Sequence, residues 1–157
     1  MDDCGEIDAA QATNWLHALT MEADVVVLDL PFSFSAANRA ILGASHHLAL
    51  VLEATPACLR TAALTIEGIR RWDRGPAAVG AVVVRRNEGA PVPPDEIAGE
   101  LDLPVLQVIP PAPALCLQAE RMRAPLIHCD PGALAADSFV MLARRFRSGN
   151  SPRSVAT

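Results

Sequence analysis

Apolar and polar positions along the chain switch repeatedly between two periods. From Ala9 to Met21, Ala12, Trp15, Leu16 and Leu19 recur at helical spacing, which predicts a helix. Val25-Val26-Val27-Leu28 follows as an unbroken run that stops at Asp29-Leu30-Pro31, the pattern of a strand buried on both faces of a parallel sheet. Ser35 is placed to cap a helix from Ala36 to about Gly43, with Gly43 as its stop. His47 to Glu53 carries Leu48-Ala49-Leu50-Val51-Leu52, a second buried strand. Thr55-Pro56 then opens a long helix to Trp72 with Leu59, Ala63, Ile66 and Ile69 on one face. Val79 to Val84 reads as a third strand, Arg85 to Pro94 as a loop dense in Gly and Pro, and Asp95 to Leu101 as a short helix. Val105 to Ile109 is a fourth strand, and helices around Ala114–Met122 and Leu134–Arg147 close the pattern.

Apolar strands alternating with helices are the signature of successive βαβ units. The fold class this predicts is α/β, a Rossmann-like, mostly parallel sheet flanked by helices. One domain is expected over residues 9–147, after a flexible start at 1–8 and before a disordered tail at 148–157. In open parallel sheets, ligands bind outside the C-terminal ends of the strands. That rule selects Asp29-Leu30-Pro31, Glu53-Ala54-Thr55, Arg85-Arg86-Asn87 and Pro110-Pro111-Ala112 as the candidate rim.

Composition narrows what such a rim can do. Of the 157 residues 51% are hydrophobic and 20% charged, which is a globular balance. All 13 basic residues are Arg. No site that requires an ammonium group, such as a phosphate-loop or Schiff-base lysine, can be supplied by this chain. A phosphoacceptor receiver domain, which shares the α/β pattern but needs a rim Lys, is disfavoured on the same ground. The net charge of −5 argues against a general nucleic-acid binder, and Arg144, Arg145 and Arg147 read as the solvated end of the last helix. Cys4, Cys58, Cys116 and Cys129 form no C-x-x-C pair and fit reduced cytoplasmic thiols. His46-His47 and His128-Cys129-Asp130 lack a second cluster at metal-binding spacing. The apolar runs fall far short of the ~20 residues that cross a bilayer. Phe139, Leu142, Ala143 and Phe146 form a stripe on the last helix, read as packing on the core in preference to docking on a membrane.

The strand ends also carry a resemblance. VVVLDLP, then a helix, then LALVLEATPACLRTAAL resembles the part of MinD/ParA-type (deviant Walker) ATPases that follows their phosphate-binding loop. AVVVRR is similar to the family's strand ending in Asn-Arg, and LPVLQVIPPAPALCLQAERMRAPLI to its Ile-Pro segment and following helix. The Asp-Leu-Pro wording, with Arg39 in the next helix, looks most like the CpaE-type branch involved in pilus assembly. The resemblance spans about residues 10–147 and rests on the order of four weak motifs. It implies an incomplete P-loop NTPase fold, ATP and Mg²⁺ as ligands if a phosphate loop is supplied by another segment, and a protein partner or a homodimer. By position, Asp29 matches the carboxylate that helps hold Mg²⁺ through water, a role suited to a hard oxygen ligand. A plain capping role for Asp29 is the competing reading. The same correspondence implies nucleotide contacts at Asp29, Pro31, Arg85, Pro110 and Pro111, with Asp29 the sole catalytic and metal-site candidate.

Four departures set the chain apart from that family. The base-contacting Asn after the third strand is here Arg85, which cannot reproduce an amide's paired hydrogen bonds. The Asp usual after Ile-Pro is Ala112, and the Gly that follows the Asp-x-Pro turn falls on Ser33 or Phe34. Most important, the phosphate loop is missing. The G-x-x-x-x-G from Gly75 to Gly80 continues Ala81-Val82 and enters a strand where a phosphate loop leaves one. A surface turn is the reading it supports. Two expectations follow: a non-catalytic or split ATPase-fold subunit in pilus assembly or polar localisation, or the C-terminal part of an active ATPase whose phosphate loop lies upstream. In the split or fragment reading, the buried strand edge left open by the absent phosphate-loop strand would need cover from a partner chain or from direct pairing of the 25–30 and 48–53 strands, because an open apolar edge invites aggregation.

Overall fold

The computed structural model describes residues 7–31, 33–86 and 92–147. The expected tail, residues 1–6 of the expected flexible start and residues 87–91 of the Gly/Pro-rich loop lie outside them. The chain divides into two compact units, Met1–His46 with Trp72–Ala77, and His47–Arg71 with Ala78–Thr157.

In the first unit, α1 (Ala9–Glu22) packs on α2 (Ala36–Ala44). Asp8 caps α1 in a reciprocal capping box with Gln11, which satisfies two backbone donors at the helix start. Only Ala12 of the expected stripe is fully buried; Trp15 and Leu19 are exposed. Ser35 Oγ accepts from the Asn38 amide, as its capping role requires, but Gly43 does not end the helix, which runs on to Ala44. The strand expected at Val25–Leu28 is not formed. Residues 23–31 have no strand partner among the described residues, and Val25 and Val27 are 65% and 88% exposed. A β-branched run favours extended backbone, but only a neighbouring strand can make it sheet.

The second unit is a parallel sheet between helices. β1 (His47–Glu53), β2 (Ala78–Val84) and β3 (Val105–Ile109) lie in the order β1-β2-β3, joined by α3 (Pro56–Arg70) and α4 (Pro94–Leu101). Thr55 caps α3 with Pro56 at its first turn, where the missing proline N–H costs nothing. One face of the sheet, through Leu52, Ala81 and Val83, meets Leu59 and Ala62 of α3 and Ile97 and Leu101 of α4. Its other face, through Val82, Leu106 and Ile109, meets Leu142 and Phe146 of α7 (Leu134–Arg147). Of the stripe expected to pack there, Leu142 and Phe146 do so, while Phe139 and Ala143 are exposed. Between β3 and α7 lie α5 (Pro113–Met122) and a short α6 (Leu126–Cys129) that the periodicity does not reveal.

Gly80 has a structural task. The β2–β3 register is irregular at Leu106, which lies between the residues paired with Ala81 and Val82, and its side chain crosses β2 at Gly80. A Cβ at Gly80 would sit 2.5 Å from Leu106 Cγ. The Gly75–Gly80 spacing is therefore a turn and a packing glycine within a strand.

Candidate functional site: the strand-end rim

Parallel pairing brings the C-terminal ends of the three strands of the second unit side by side. Glu53 pairs in register with Val84, and Val84 with Ile109. The next residue, Arg85, donates its backbone N–H to Ile109 O at 3.0 Å, which sets Arg85 against Pro110 at the rim. Arg86 Nε lies 2.6 Å from Glu53 Oε1, an ion pair that ties the end of β2 to the end of β1. With Arg86 76% exposed, solvent screens this pair, so it orients the rim more than it stabilises it. Pro110, Pro111 and Ala112 lead into α5, whose N-cap Ala112 offers no side-chain oxygen. Asn87 lies outside the described residues.

Asp29 and Pro31 stand in the first unit, on the unpaired segment before α2, and Asp29 is exposed. The segment that ends at Pro31 is held from behind. Asn38 is 7% exposed, and its Nδ2 donates toward Pro31 O, Ser33 O and Ser33 Oγ at 2.9, 3.1 and 3.0 Å. An amide nitrogen has two hydrogens, so one of them serves two of the three oxygens. Arg39 on the next turn places its guanidinium 5.2 Å from the Trp72 ring centroid, and Phe34 meets the same ring edge-on. Nothing in the sequence pattern singles out Asn38, because its three acceptors are backbone and side-chain oxygens brought close by the turn itself.

The chemistry available to this rim is limited. In the second unit it holds Arg85, Arg86 and Glu53, of which Arg86 and Glu53 pair with each other; Asp29 belongs to the first unit. Nucleotide phosphates need a loop of exposed N–H groups and a lysine, and the residues present do not fit them: Gly80 is buried in β2 and the chain has no Lys. A cavity of about 370 Å³ lies along α3 and α4, lined by Leu59, Ala63, Leu64, Val92, Glu96 and Glu100, and no proposed rim residue forms its wall. Among the described residues, no three His, Cys, Asp or Glu side chains converge as a metal site, and no helix is long and apolar enough to cross a membrane.

Comparison with solved structures places the fold in a known architecture. A ParA family ATPase from Chlorobium tepidum TLS superposes with a TM-score of 0.78 at 14% identity, over 89% of this chain and 57% of that one. The chain carries part of the MinD/ParA-type fold. MinD from Pyrococcus horikoshii OT3, solved with Mg-ADP, matches at TM-score 0.74 and 18% identity over 94% of this chain and 60% of its own. The MinC:MinD complex of Aquifex aeolicus matches at 0.76 and 18%, over 96% and 63%. The chain thus spans about 60% of the length of each of these MinD/ParA-type structures. No family model matches the sequence, and no curated protein matches it.

Proposed function

We propose that this chain is a non-catalytic subunit of MinD/ParA-type fold, a scaffold that binds a protein partner without handling nucleotide phosphates itself. The feature that supports the reading is that these 157 residues hold neither a phosphate loop nor a lysine on a MinD/ParA-type fold. Phosphoryl transfer is mostly positioning and charge stabilisation, so a chain that cannot grip the transferred group has no means to catalyse it. Arg85 in the place of an amide and Ala112 in the place of a carboxylate point the same way. A protein partner or a second copy suits the fold, since the Aquifex aeolicus neighbour is MinD in complex with MinC. The Asp29-Leu30-Pro31 wording with Arg39 favours the CpaE-like branch, hence a role in pilus assembly or polar localisation in the cytoplasm. Phosphate release from ATP with Mg²⁺ tests the reading directly. The purified chain is expected to release none above the buffer rate, and turnover that survives repurification would overturn it.

A second reading is supported by length. The chain covers about 60% of its structural neighbours, which suits the C-terminal part of an active ATPase whose phosphate loop lies in an upstream segment. In that assembly Asp29 would bind Mg²⁺ through water, and Pro31, Arg85, Pro110 and Pro111 would line the nucleotide site. The coding sequence upstream decides between the two. An in-frame or adjacent glycine-rich loop ending in Lys-Ser/Thr favours the second, and none there removes it.

A further inference from the structure

We draw no further inference here: the strongest candidate, the groove of about 370 Å³ along α3 and α4, lined by Leu59, Ala63 and Leu64 with Arg60, Glu96 and Glu100, carries nothing because nothing in the structure shows what covers it.

Discussion

At Asn38 one side-chain nitrogen donates to three oxygens of Pro31 and Ser33, and burial keeps water from replacing it. Removing the amide leaves those oxygens without their donor. Asn38→Ala should lower the unfolding free energy by about 1–3 kcal/mol, read from urea denaturation, and should speed proteolytic cleavage within 31–35. Gly80 is the opposite case, a residue whose value is having no side chain. Gly80→Ala would set a methyl group 2.5 Å from Leu106 Cγ, well inside contact distance. Such overpacking costs about 1–3 kcal/mol, and the paired change Gly80→Ala with Leu106→Ala should recover part of the overpacking term. Neither role was legible in the sequence. Asn38 reads as an ordinary first-turn residue and Gly80 as half of a spacing motif, because each acts on atoms that only the fold brings near.

Elements were more legible where local chemistry decides them. Thr55-Pro56 marks the start of α3 because a hydroxyl acceptor and a preset φ suit a helix N-terminus in any context. Thr55→Ala should cost about 1 kcal/mol in thermal or urea unfolding. The unbroken apolar runs likewise place β1 and β3 at their observed bounds. Val25–Leu28 shows where that reasoning ends. Its pattern matches that of β1, yet it is unpaired, because a strand requires a neighbour and no local pattern supplies one. The four-residue α6 was missed because it is shorter than the window in which helical period can be seen.

For the whole molecule, the alternation of strands and helices was enough to expect a parallel α/β sheet with its candidate site at the strand ends. The superposition on MinD and ParA structures, at 14–18% identity, shows the same fold with little sequence in common. The pairing of Glu53 with Arg86 needed the β1–β2 register, although both residues already belonged to the expected rim. As proposed, the chain keeps this architecture without a phosphate grip of its own. Thermal unfolding with and without ATP and Mg²⁺ tests it most directly. A native-state site held at a hundred times its Kd would add about 2.7 kcal/mol, a rise of roughly 5–10 °C for a chain of this size. A Tm unchanged to within about 1 °C is expected; a rise of several degrees that saturates with ATP would overturn the proposed function.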